Sequence, residues 1–180
     1  GTVSFIFFRF SIVIIGVIPA RLRSTRFSEK ILAPIAGKPL VAHVMERALA
    51  AEQLDRVVLA IDSSKTEEVL KEYKFDIVMT DSNHSSGTDR VAEVIQGIED
   101  AEIIINIQGD EPMLDPSVIN DLVAQFDDAN ISMATAVSRK LDVSDLLNPN
   151  VVKAFLDEYN FAIDFKRELY DMEIGGVYRH

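Results

Sequence analysis

The run Ile12-Val-Ile-Ile-Gly-Val-Ile18 leads without a break into Pro19-Ala-Arg-Leu-Arg-Ser-Thr-Arg-Phe-Ser-Glu-Lys-Ile-Leu-Ala-Pro-Ile-Ala-Gly-Lys-Pro39. The first part is β-branched and almost wholly apolar, which predicts a strand buried on both faces. Strands of that kind belong to parallel sheets covered by helices, so this run points to an α/β fold. The second part is a loop leaving the carboxyl end of the strand. It carries five cations (Arg21, Arg23, Arg26, Lys30 and Lys38) and one anion, Glu29, in a chain of net charge −11. The carboxyl edge of an open α/β sheet is where such folds hold phosphate groups, and a cationic loop there fits that use.

Working outward, Leu40 to Ala51 has apolar residues at helical spacing, and Arg56 to Asp62 reads as a second strand. A short helix is expected over Thr66 to Glu72 and a third strand over Phe75 to Thr80. A polar loop, Asp81 to Gly87, then feeds a helix from Thr88 to about Ile98. Ile103 to Gln108 is a fourth strand. Asp115 and Pro116 form an N-cap and first position for a helix running to about Phe126. Ser132 to Val137 is expected as a fifth strand and Val143 to Leu147 as a short helix. Val151 to Leu156 and Phe161 to Phe165 flank a turn at Asp157 to Asn160, a hairpin pattern. The alternation predicts a doubly wound, mostly parallel sheet, Rossmann-like, with a late antiparallel insertion.

Composition narrows the function. A chain of 180 residues is long enough for one domain with a substantial core. A pI near 4.7 argues against a general nucleic-acid binder, which needs extended positive potential. With no cysteine there are no disulfides, thiolate metal sites or cysteine nucleophiles, which fits a reducing compartment. The N-terminal run beginning at Phe5 approaches the length of a membrane span. The strand reading takes precedence, because Ile12 to Ile18 cannot both cross a bilayer and position the loop. Gly1 to Phe10 is left as an extra edge strand, a short anchor or an accident of where the sequence starts.

The first loop has neither a Walker pattern nor a dinucleotide fingerprint, so phosphate binding would rest on guanidinium, ammonium and backbone N–H groups. Beyond the fourth strand, Asn106-Ile-Gln-Gly-Asp-Glu-Pro112 puts Asp110 and Glu111 at the same edge. A carboxylate beside a cationic phosphate loop points to a hard divalent ion, Mg2+, shared with the phosphates. Gly109 would allow a close backbone approach. In Ser85-Ser-Gly-Thr-Asp-Arg90, Ser86 and Thr88 are candidate caps. Arg90 is a cation at a helix N-terminus, which implies an anion or a buried partner. His43 and His84 read as surface residues.

Taken together these segments resemble the 3-deoxy-manno-octulosonate cytidylyltransferases, the CMP-Kdo synthetase family. The resemblance runs through Ile18-Pro-Ala-Arg-Leu-x-Ser-Thr-Arg-Phe-x-x-Lys-x-Leu-x-x-Ile-x-Gly-Lys-Pro39, Ser86-Gly-Thr-Asp-Arg90, Asn106 to Pro112, Asn148-Pro-Asn-Val-Val-Lys153 and Tyr178-Arg-His180. It implies an Mg2+-dependent enzyme of the cytoplasm, making CMP-Kdo and pyrophosphate from CTP and the acidic sugar Kdo for lipopolysaccharide. Carried over residue by residue, Arg21, Arg26 and Lys30 would bind the triphosphate, with Ala20 and Ser24 helping to place it. Ser86, Gly87 and Gln108 would read cytosine, and Asp110 would hold the metal. Arg90, Arg167 and His180 would face the sugar acid. Arg21, Lys30 and Asp110 would carry the catalysis. A homodimer is implied as well, with neither a membrane nor nucleic acid as partner.

The pattern departs from the family at Ser28, where proline is usual, and at Asp164 and Lys166, where Tyr and Ser are usual. Glu168 to Asp171 lacks the family's proline. These last changes bear on the choice of acidic sugar, so synthetases of amino-Kdo or sialate type stay open. Family members also continue past the position of His180, in a stretch with a second acidic metal ligand. The expectation is therefore one nucleotidyltransferase domain over residues 1–180 lacking the family's C-terminal part, and with it little or no transferase activity. A CTP-binding protein without turnover is the remaining alternative.

Overall fold

β1 (Val13–Ala20) alternates its side chains between two apolar layers on which the first part of the molecule is built. Ile14, Ile18 and Ala20 face one layer, and Val13, Ile15 and Val17 the other. The computed structural model describes residues 13–23 and 29–169, together with the backbone of 177–179. Gly1 to Phe10 therefore lies outside the described residues. Two compact units divide at Ala129 and Asn130.

In the first unit, β1 is followed by a small antiparallel hairpin of β2 (Pro34–Ile35) and β3 (Lys38–Pro39). Then come α1 (Leu40–Leu49), β4 (Arg56–Ile61), α2 (Ser64–Leu70), β5 (Ile77–Met79), α3 (Gly87–Gln96), β6 (Ala101–Asn106) and α4 (Pro116–Ala124). Four of these strands form one sheet in the order β5-β4-β1-β6, every neighbouring pair parallel. The sheet first grows outward from β1 through β4 to β5, and then reverses to place β6 on the other side of β1.

The helices follow that reversal. Leu40, Val41, Val44 and Met45 of α1, Leu70 of α2 and Ile119 and Val123 of α4 pack in the Ile18 layer. Val91 and Val94 of α3 pack in the Ile15 layer. Right-handed crossovers demand this switch of face when strand order reverses. The reversal creates a crevice between the carboxyl ends of β1 and β6, the switch point where open α/β sheets bind ligands.

The second unit holds α5 (Val143–Leu147), β7 (Lys153–Leu156), β8 (Ala162–Lys166) and β9 (Val177–Arg179). Its sheet is antiparallel, in the order β8-β7-β9. The β7–β8 turn is organised by Asp157, whose Oδ1 accepts from Tyr159 N at 2.9 Å and Phe161 N at 2.8 Å.

The doubly wound sheet and the late hairpin match the expectation, and Asp115 caps α4 by accepting from Ser117 N at 3.0 Å. Residues 132–137 are a correction, since they form no strand. Their Ala, Ser and Thr side chains offer no buried face, and Met133 is 86% exposed, so nothing stabilises a ladder there. β9 was not legible, because its pattern is weak and its partner lies more than twenty residues earlier. Among the described residues no helix is long and apolar enough to cross a membrane.

Candidate active site

Three segments meet at the carboxyl edge of the first unit's sheet. The first is the loop after β1. Ala20 is buried at the end of the strand, while Arg21 and Arg23 are exposed. Lys30 opens a 3-10 turn, Lys30–Leu32, that returns the chain toward the edge. Ser24 and Arg26 lie outside the described residues. Lys38 belongs elsewhere, since its Nζ donates to Glu46 of α1 at 2.6 and 2.8 Å. The cationic count of this stretch therefore overstates the charge available at the edge.

The second segment follows β6. Ile107 N donates to Val17 O at 2.9 Å and carries the pairing one residue past the strand. Gln108 is then exposed and Gly109 buried. A Cβ at Gly109 would stand 3.0 Å from Pro19 O and 3.4 Å from Ile18 Cγ2. Only glycine lets this turn lie so close to β1. The close approach brings Asp110 to the first loop, where Lys30 Nζ donates to Asp110 Oδ2 at 2.6 Å. Both side chains are nearly half exposed, so the pair contributes at most about 1 kcal/mol to stability. Its meaning is positional: a cation and a carboxylate eighty residues apart share one space at the switch point.

The third segment is the entry to α3. Ser86 is the N-cap, and its Oγ accepts from Asp89 N at 3.1 Å. Asp89 Oδ2 in return accepts from Ser86 N at 3.1 Å and from Ser86 Oγ at 2.7 Å, completing a capping box. The Ser86 hydroxyl, then that of Ser85, hold the Asp89 carboxyl below the usual range. Gly87 stands where a Cβ would be 3.2 Å from Pro19 Cγ, so the first turn of α3 packs against the end of β1. The Asp81 N–H and then His84 similarly lower Glu93, which receives both. His43 bonds Ile35 O at 2.7 Å, so neither histidine is at the edge chemistry.

Arg90 has the buried partner its position implied. It is 2% exposed, and its Nη2 donates to Asp62 Oδ2 at 3.1 Å while Nη1 donates to Thr80 Oγ1. Thr80 passes the chain on to Ile61 O at 2.7 Å. In this arrangement the guanidinium is buried between Asp62 and Thr80. Sequence reasoning gave no role to Asp62. The one available signal was its place, a carboxylate one residue past a buried strand.

In the second unit Arg167 is exposed, with Nη1 donating to Pro149 O at 3.4 Å. Its carbonyl is held by Lys153, a residue with no exposure, whose Nζ donates to Arg167 O at 2.6 Å and Asn148 O at 2.7 Å. Within the Asn148 to Lys153 motif, the buried Lys153 is thus a clamp on the backbone of Arg167. His180 lies outside the described residues.

No group of three or more acidic, histidine or cysteine side chains gathers among the described residues. Mg2+ keeps several waters and takes one or two carboxylates plus phosphate oxygens, so it needs no such group. Asp110, exposed beside Lys30, is the carboxylate so placed.

Residues 15–172 match the family described as Cytidylyltransferase. The chain is 42% identical over 155 residues to the 3-deoxy-manno-octulosonate cytidylyltransferase of Trichlorobacter lovleyi, a match covering 86% of this chain and 61% of that protein. It is 44% identical over 155 residues to the protein of that name from Geobacter metallireducens, with the same coverage. Among solved structures, CMP:2-keto-3-deoxy-manno-octonic acid synthetase complexed with CTP superposes with a TM-score of 0.84 at 33% identity. That superposition covers 94% of this chain and 72% of the other. The chain thus spans 61% of the length of these curated relatives.

Proposed function

The chain belongs to the cytidylyltransferase family, and from that premise we propose that it transfers CMP from CTP to Kdo, with release of pyrophosphate. The observation that carries the reading is the Lys30–Asp110 pairing at 2.6 Å across the β1–β6 switch point. It supports the reading by setting side by side, at the ligand-binding edge of the sheet, the two kinds of group that a triphosphate and its counterion need.

In the reaction a sugar hydroxyl oxygen bonds to the α-phosphorus, its proton leaves, and the bond to the β-phosphate oxygen breaks. Such a transfer depends on positioning and charge neutralisation more than on covalent catalysis. Arg21, Arg26 and Lys30 neutralise the triphosphate, and Ala20 and Ser24 help to place it. Ser86, Gly87 and Gln108 take the cytosine side. Asp110 would hold Mg2+, which when bound would supply Lewis-acid charge at the phosphates. The sugar-side assignment to Arg90, Arg167 and His180 rests on the resemblance alone. A cytoplasmic homodimer serving lipopolysaccharide synthesis follows from the same reading.

The test is pyrophosphate release by a version of the protein of its relatives' full length, since residues 1–180 alone are expected to turn over little or not at all, supplied with Mg2+, each of the four ribonucleoside triphosphates, and Kdo or a sialic acid. Release with CTP and Kdo alone is expected. Release with sialic acid and not Kdo would move the assignment to the sialate type. Equal release with ATP would overturn it.

A further inference from the structure

The loop leaving β1 is gripped at its neck by a corner of the fold with no assigned role. β4 ends at Ile61 and α2 begins at Ser64, so Asp62 to Lys65 turn the chain beside the loop. Asp62 uses both carboxylate oxygens. Oδ1 accepts from Leu22 N at 2.8 Å, and Oδ2 accepts from Arg90 at 3.1 Å. Lys65 Nζ donates to both oxygens of Glu29, at 2.6 and 2.7 Å. Glu29 N in turn donates to Leu22 O at 3.0 Å. Leu22 and Glu29 thus close a neck, and the corner holds one side through Asp62 and the other through Lys65.

Two features show that the grip is specific. Glu29 has a φ of 61°, a left-handed conformation unfavourable for any residue with a side chain. In that conformation its carboxylate meets Lys65 and its N–H meets Leu22 O. Asp62 and Arg90 have side chains only 10% and 3% exposed, so a buried charge pair has been committed to one backbone N–H of the loop. Leu22 follows Arg21 in the chain, and Glu29 precedes Lys30. Holding the neck therefore holds the two cations that flank it.

We propose that Asp62 and Lys65 are positioning residues for triphosphate binding, presenting Arg21 and Lys30 together to an extended polyphosphate. Through Arg90 the same carboxylate ties the loop to α3, which carries Ser86 and Gly87. The inference rests on the reading of this loop as the CTP site. Preorganised cations matter most to a ligand that engages several at once, so the benefit falls on CTP and not on CMP.

The test is calorimetric binding of CTP and of CMP to wild type, Lys65→Ala, Lys65→Arg and Asp62→Asn, with melting temperature alongside. Lys65 is exposed, so Lys65→Ala should fold normally. It should weaken CTP by about 2- to 5-fold, the range of an exposed ion pair, while CMP shifts less than about 1.5-fold. Lys65→Arg should recover the CTP affinity. Asp62→Asn, which breaks a buried pair, should weaken CTP by about 10-fold or more. Unchanged CTP affinity in Lys65→Ala, or equal losses for CTP and CMP, would overturn the proposal. Failure of wild type to bind CTP would instead bring down the triphosphate reading, and this inference with it.

Discussion

The meeting of Lys30 and Asp110 was legible, because each lies in the segment that follows a strand its sequence marks as buried. If Lys30 contacts the triphosphate, Lys30→Ala should weaken CTP by about 10-fold, the worth of one charge-assisted hydrogen bond. Calorimetry showing wild-type affinity would remove Lys30 from the site. In a version of the protein of its relatives' full length, Asp110→Asn should lower turnover by roughly 100-fold or more if its charge serves the transition state. Arg90 was legible only as an unexplained cation, since its partner Asp62 comes from another strand end, 28 residues away. Arg90→Met should leave Asp62 buried and unpaired, at a cost of about 3 to 5 kcal/mol read as a large drop in melting temperature. An unchanged melting temperature would contradict the buried role.

At the scale of elements, α3 shows how local chemistry aims a helix. Ser86 and Asp89 satisfy each other's backbone donors, so the first turn is fixed before any ligand arrives. Ser86→Ala should cost about 1 kcal/mol of stability, measurable by urea denaturation. Asp89 and Glu93 both have carboxyls lowered in the fold. Groups lowered in this way stabilise fully above the unfolded carboxylate range, near pH 4, and lose that contribution as pH falls through their folded values. Asp89→Asn should therefore flatten the acid limb of the stability profile, and an identical limb would contradict the capping box. The caps and the Asp157 turn could be read in advance because their partners lie within four residues. The failed strand at 132–137 and the unforeseen β9 depended on distant partners, which a local pattern cannot supply.

For the whole molecule, the order β5-β4-β1-β6 does what no single residue does. It brings segments from positions near 20, 86 and 110 to one edge, where Gly87 and Gly109 let them close on Pro19. The alternation of strands and helices made that edge foreseeable, whereas the corner from Asp62 to Lys65 emerged only from the packing. The central claim is that this edge selects CTP. Its most direct measurement is calorimetric titration of the protein with CTP, UTP, ATP and GTP in Mg2+, repeated with Arg21→Ala. Binding of CTP in clear preference to the other three, lost or weakened by about 10-fold in Arg21→Ala, is the predicted result. Equal binding of ATP or GTP, or CTP binding untouched by the loss of Arg21, would contradict it.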